Sequence, residues 1–401
     1  MNLSSPTIAP APSRVMEPPM AGHGFADLID RWDWDATRRM IMASGPSDVR
    51  RVLAKAERAS EPLSPEEFGI LISPAAAPFI EDMARLSRRF TLERFGKTIS
   101  LYIPMYVSNA CANACVYCGF NHANPFERTV LSQERIVEEC EAIRRLGDFD
   151  NLLIVSGEFP SLCGLDYFRM AVTTALRYFN NISLEVQPLR THEYKALADA
   201  GLYGVVCFQE TYNRANYRKY HPKGMKSLFD WRLNGFDRMG QAGIHKIGMG
   251  VLLGLEDWRT DITMLARHLR YLQKRYWQTR YSVNFPRLCS SESGYQPRHP
   301  VSDRELVQLT LAFRIFDHDV DISYSTRESP SLRDNMMCLG VNSMSAGSRT
   351  EPGGYALAEQ ALKQFDVTDD RTPASVVASI RERGYYPVWK DWEICLGSTH
   401  C

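Results

Sequence analysis

The chain has 401 residues, 44% of them hydrophobic and 23% charged, a composition able to bury a large core. Lys plus Arg and Asp plus Glu balance at 47 each, so the electrostatic footprint of a nucleic-acid binder is missing. Ten cysteines are too few for a secreted disulfide scaffold, and no run is long and apolar enough to span a membrane, so a reducing, cytoplasmic setting is expected, without nucleic-acid or membrane partners.

Residues 1–24 are rich in Pro, Ser and Ala and read as a disordered tail; a short organellar transit peptide stays open, because Arg14 precedes the only acidic residue there, Glu17. Residues 25–97 read as a helical extension, with Ser64-Pro65-Glu66-Glu67 as a helix start and the helices of 47–97 placed beneath the domain formed by 98–350. From 98 to 350 one pattern recurs, a short apolar, β-branched run and then an amphipathic stretch. The runs are 101–108, 151–157, 182–189, 204–210, 245–254, 281–288, 320–327 and 337–346. Helices are expected over 132–147, 191–201, 257–276 and 302–316, with Ser132 and Ser302 as N-caps and Gly147 and Gly201 as stops. Eight strands alternating with helices imply an α/β fold, a closed (β/α)8 TIM-type barrel, with 351–401 as an extension packed on it.

Polar residues unusual in an apolar strand recur at the C-terminal ends of these runs: Glu158, Gln187, Gln209 with Glu210, Arg287, Arg327 with Glu328, and Ser345. In a parallel barrel those ends surround one mouth, where active sites of this architecture lie. Just after the first strand comes C-A-N-A-C-V-Y-C-G-F, which sets Cys111, Cys115 and Cys118 at C-x3-C-x2-C spacing. Three thiolates around a 4Fe-4S cluster leave one iron open for a ligand. The competing structural reading is zinc, with His122 completing a Cys3His set for an interaction module. Such modules are small and folded by their metal, whereas this loop sits on a chain with its own core.

The triplet, with Tyr117 before its last cysteine, resembles the signature of the radical S-adenosylmethionine superfamily. Further segments, among them YVSNACANACVYCGF, VSGE, EVQPL, KGMKSLFDWRL, STRESPSLRD and PVWKDW, are similar to those of the 2-iminoacetate synthases, anaerobic tyrosine lyases of thiamine biosynthesis. The likeness runs over about residues 28–395. It implies a 4Fe-4S cluster and S-adenosylmethionine as cofactors and a barrel of the radical S-adenosylmethionine kind. For the cofactor it implies Tyr117, Gly157, Glu158, Glu185, Gln187, Gly250 and a pair formed by Glu210 and Arg232, with Gly248 and Gly254 also on the path of the fifth strand. For the amino acid it implies Arg327 as carboxylate clamp with Tyr106 and Ser345 nearby, and Arg287, Glu328 and His221 behind them.

The implied reaction turns L-tyrosine into 2-iminoacetate and p-cresol. The implied partners are a thiazole synthase, joined as a heteromer, a sulfur carrier protein and a flavodoxin or ferredoxin reductant. Two related lyases stay open, one of hydrogenase maturation and one that cleaves tryptophan. The first carries a second cluster in a cysteine-rich extension, where this chain has only Cys395 and Cys401 with His400.

Overall fold

The computed structural model describes residues 24–58, 61–356 and 361–390. The tail expected over 1–24, save Gly24, lies outside them, as do Cys395, His400 and Cys401. Eight parallel strands form the centre: β1 (Thr98–Ser108), β2 (Asn151–Ser156), β3 (Asn181–Glu185), β4 (Gly204–Glu210), β5 (Lys246–Val251), β6 (Arg280–Asn284), β7 (Asp321–Tyr324) and β8 (Ser343–Ser345). Because β1 bonds to both β2 and β8, the sheet closes into a barrel.

The expected helices form as Gln133–Leu146, Thr191–Asp199, Trp258–Arg275 and Asp303–Phe316. Their caps are those the sequence offers. Ser132 accepts from the Arg135 amide, and Ser302 and Glu305 make a reciprocal capping box. Several strands stop short of the expected runs, β5 at Val251, β6 at Asn284 and β7 at Tyr324 among them, and two further differences have a local cause. The third run stops at Glu185, ahead of Pro188, which has no N–H for a ladder. In the last run only 343–345 is strand, because Ser329 caps a helix, Pro330–Met336, that takes up the connection, and the Met336 carbonyl accepts from Gly340 and Val341 to close it.

The N-terminal helices Pro65–Leu71 and Ile80–Phe95 pack mainly on the outer helices Trp258–Arg275 and Asp303–Phe316 rather than beneath the barrel. Only Arg94 and Phe95 reach under the lumen. At that end a ninth strand, β9 (Tyr386–Val388), pairs with the start of β1, and the Trp389 carbonyl accepts from the Asp150 amide beside β2. The polypeptide also returns over the opposite end, where the Gln364 carbonyl accepts from Gly119.

The lumen is not filled in the usual way. Barrels of this type stack branched aliphatics inside. Here Ser100, Ser183, Gly248, Ser282, Ser323 and Ser343 face inward among Leu152, Val205, Val206 and Val283 and leave an open space reaching up to Glu185 and Asn284.

One buried ion pair fastens the C-terminal extension. Arg333 pairs with Asp369, both side chains fully buried, and its other nitrogen donates to the Ser345 carbonyl at the end of β8. Asp369→Ala leaves that guanidinium unpaired and is expected to lower the unfolding free energy by roughly 3–5 kcal/mol. Asp369 also accepts from Arg371, at 2.7 Å, and Arg371 keeps Asp334, so replacing Arg333 and Asp369 together with apolar residues should still cost less than Asp369→Ala alone. Denaturant titration of the three proteins checks this, and equal losses would refute the pairing argument.

Candidate active site

The cysteine loop leaves β1 at Ser108 and is held by backbone hydrogen bonds from every side. Ala112 donates to the Glu158 carbonyl, Ala114 to Lys223, Val116 to Tyr220 and Gly119 to Gln364. Arg128 completes the hold, since its guanidinium donates to the carbonyls of Asn109, Phe120, Asn121 and Asn124 at 2.7–3.1 Å. Gly157 is glycine for a steric reason, because a Cβ there would collide with the Ala110 carbonyl. The Tyr117 hydroxyl lies 2.8 Å from His221 Nε2. His221 Nδ1 lies 2.9 Å from the Tyr217 carbonyl, so Nδ1 carries the proton and Tyr117 donates to Nε2.

Glu158 accepts from Arg232 and Asn113, each at 2.8 Å. Burial alone would raise its carboxyl, but the Arg232 and Lys226 charges hold it below the usual range. Arg232 also donates to the Phe208 carbonyl at 2.6 Å, so it is committed to the scaffold. Glu210 and Arg232, expected as an acidic and a basic residue that orient the cofactor, do not bond each other. Glu210 is bonded instead to Lys226 Nζ, at 2.6 Å. Among the described non-glycine residues only Glu210 has a left-handed backbone, φ 70°, which turns its carboxylate over the mouth.

A cavity opens at this mouth, and Tyr106, Tyr117, Cys118, Glu185, Glu210, Lys226, Arg327 and Ser345 all line it. Tyr106 donates to Gln364 Oε1 at 2.7 Å. Ser345 Oγ accepts from the Thr326 amide and from Ser348 Oγ, each at 3.2 Å. Arg327 is half-buried, has its guanidinium carbon 3.3 Å from the Phe365 ring centre, and makes no salt bridge among the described residues. Glu185 is likewise without a hydrogen-bonding partner among them, and burial pushes its carboxyl up to about 7 against the charge of Arg327.

Other expected residues are not gathered here. Gln187 donates to the Cys163 carbonyl at 2.7 Å, and Gln209 is buried with neither amide atom bonded; neither lines the cavity. A Cβ on Gly250 would clash with the Phe208 ring and the Asn284 carbonyl, so that glycine answers to barrel packing. Arg287 and Glu328 bond each other, at 3.0 Å. Lys226, Arg128, Gln364 and Phe365 were missed. Lys226 stands in the same KGMKSLFDWRL segment as Arg232, but nothing in a sequence says which cation meets which acid.

The triplet supplies the donor set of a 4Fe-4S cluster with one iron left open. Among the described residues no three Cys, His, Asp or Glu side chains converge tightly enough to hold a single metal. The Cys3His zinc arrangement with His122 is thus not formed. Burial raises all three thiols, Cys118 to about 11; the Glu158 charge adds to it at Cys111 and the neighbouring thiols at Cys115 and Cys118, and bound iron would supply the positive charge that deprotonates them.

The model of the radical SAM superfamily matches residues 105–265, and that of the biotin and thiamin synthesis associated domain matches 283–386. The chain is 45% identical to the 2-iminoacetate synthase of Salmonella typhimurium over 374 residues, 92% of this chain and 98% of the relative. It is 45% identical to the Escherichia coli 2-iminoacetate synthase, over 92% of this chain and 97% of that one. Among solved structures it is similar to the FeFe-hydrogenase maturase HydG from Carboxydothermus hydrogenoformans, at 30% identity and a TM-score of 0.85 over 92% of this chain and 86% of that one. For a cluster seated as this geometry suggests, Cys115→Ala is expected to abolish iron and acid-labile sulfide uptake in anaerobic reconstitution while far-UV circular dichroism stays unchanged. Stoichiometric iron in that variant would refute the seat.

Proposed function

The chain belongs to the 2-iminoacetate synthase family of radical S-adenosylmethionine lyases, and from that premise we propose that it cleaves the Cα–Cβ bond of L-tyrosine. The products are 2-iminoacetate and p-cresol, while S-adenosylmethionine becomes 5'-deoxyadenosine and methionine. The observation that carries this reading to the substrate is Arg327, a guanidinium without a salt bridge among the described residues, in the cavity that Cys118 also lines.

When bound at Cys111, Cys115 and Cys118, the cluster and S-adenosylmethionine supply a 5'-deoxyadenosyl radical able to take a hydrogen atom from the substrate amino group. The protein's own part is placement. Arg327 presents a planar fork to the substrate carboxylate, and its stack on Phe365 fixes the plane of that fork. Ser345 and Tyr106 offer hydroxyls already oriented by Thr326 and Gln364. Glu210 and Lys226 face the cofactor's amino and carboxylate groups with opposite charges, while Glu158 and Arg232 keep the cysteine loop in place behind them. Apolar side chains of Phe208, Leu252 and Leu288 exclude water from the ring of the substrate.

A thiazole synthase and a sulfur carrier protein are the proposed consumers of the imine, and the match to a domain named for thiamin synthesis supports them. A flavodoxin- or ferredoxin-class protein is the proposed electron source. Among the described residues no helix is long and apolar enough to cross a membrane.

Anaerobic incubation with dithionite, S-adenosylmethionine and each aromatic amino acid should give p-cresol from tyrosine and no cleavage of tryptophan. The opposite pattern would overturn the substrate. Arg327→Ala should weaken tyrosine binding roughly 10- to 100-fold, as loss of a charged hydrogen-bonding partner does, with the iron content unchanged. Wild-type affinity in that variant would remove Arg327 from the site.

A further inference from the structure

Most of the carboxylates around this mouth are neutralised. Glu158 is held by Arg232, Glu210 by Lys226 and Glu328 by Arg287. Among the described residues Glu185, alone of these four, has neither ion pair nor hydrogen bond, although it stands at the end of β3 with its side chain lining the cavity. Arg327 is in the same condition, and the two do not bond each other. Yet Arg327 is the strongest single charge acting on Glu185. One unpaired cation and one unpaired anion, close but not touching on the walls of one cavity, are complementary to a zwitterion.

Resting on the tyrosine reading above, we infer that Glu185 receives the substrate ammonium group and takes a proton from it before the hydrogen atom is removed. An ammonium nitrogen has no lone pair to stabilise a nitrogen radical, so the amine must be neutral first. In the transfer one N–H bond breaks with its electron pair left on nitrogen, and one O–H bond forms on Glu185. Nothing is oxidised or reduced.

Two features suit Glu185 to this work. Its carboxyl is pushed up to about 7 by burial, so near neutral pH it accepts a proton and releases it again. The groups facing it are Arg327 beyond β7, Glu210 at the end of β4, Lys226 and Arg232 between β4 and β5, and Tyr102 and Tyr106 of β1. Glu185 also borders the serine-lined lumen, together with Tyr102, Leu153, Phe208 and Asn284. Hydroxyls of Ser183, Ser282 and Ser323 line that space among its apolar side chains and offer the proton a way off Glu185.

The test compares wild type with Glu185→Gln as anaerobic holoenzymes. Equilibrium binding is measured for L-tyrosine and for 3-(4-hydroxyphenyl)propanoate, the same acid without its amino group. The substitution should weaken tyrosine by about 10-fold or more and leave the second acid unchanged. Equal weakening of both would move Glu185 to the phenol end and overturn the inference, as would unchanged binding of both. In turnover, wild type should gain rate as the pH rises through about 7, where the carboxyl ionises. Glu185→Gln should lose that limb and recover only toward the pKa of the substrate ammonium, and Glu185→Asp should restore part of it. A wild-type pH profile in Glu185→Gln refutes the base. If wild type itself makes no p-cresol, the tyrosine reading is what fails, and the two binding constants still report whether Glu185 meets an amino group.

Discussion

The mouth of the barrel is organised by the ion pair between Glu158 and Arg232. Glu158 receives Arg232 on one oxygen and Asn113 of the cysteine loop on the other, while its own carbonyl takes the Ala112 amide. Arg232 reaches on to the Phe208 carbonyl of β4. One buried pair thus ties the end of β2, the cysteine loop and β4 together. Because the Glu158 carboxyl is held below its ordinary value, the stability this pair contributes is complete above the ordinary glutamate pKa. It is lost only as the pH falls through the lower folded value.

With the loop fixed from below, the cavity wall needs no further charge for its own integrity. Glu210 and Lys226 satisfy each other at the rim. That leaves Arg327 and Glu185 to interact with a molecule that enters. Arg327 sits over the Phe365 ring, and Glu185 borders both the mouth cavity and the lumen. The lumen beside it mixes serines with Leu152, Val205, Val206 and Val283, and this burial is what raises the Glu185 carboxyl.

Much of this was legible in the sequence, and the reasons are local. The barrel could be read because each strand is a short apolar run and each helix carries its own cap, as Ser132 and Ser302 show. The cysteine motif could be read because its ligands are close in sequence. Residues at strand ends were identified as a group, but their partners were not. Gln187 is bonded to the Cys163 carbonyl and Gln209 is buried, and neither lines the cavity, which composition alone does not tell. Arg128 and Gln364 act through tertiary contacts with no local signature.

The exchange of partners among Glu158, Glu210, Lys226 and Arg232 shows the same limit on a finer scale. A planar guanidinium can bond a carboxylate and a backbone carbonyl at once, and only the site behind the loop offers both, so Arg232 goes there. An ammonium on a flexible stem suits the rim, where Glu210 is presented by a left-handed turn. Had the two cations been exchanged, the loop would have lost its bridge to β4, and the rim would carry a donor that cannot yield to a ligand. The sequence order of Lys226 and Arg232 does not state this preference; their donor geometry does.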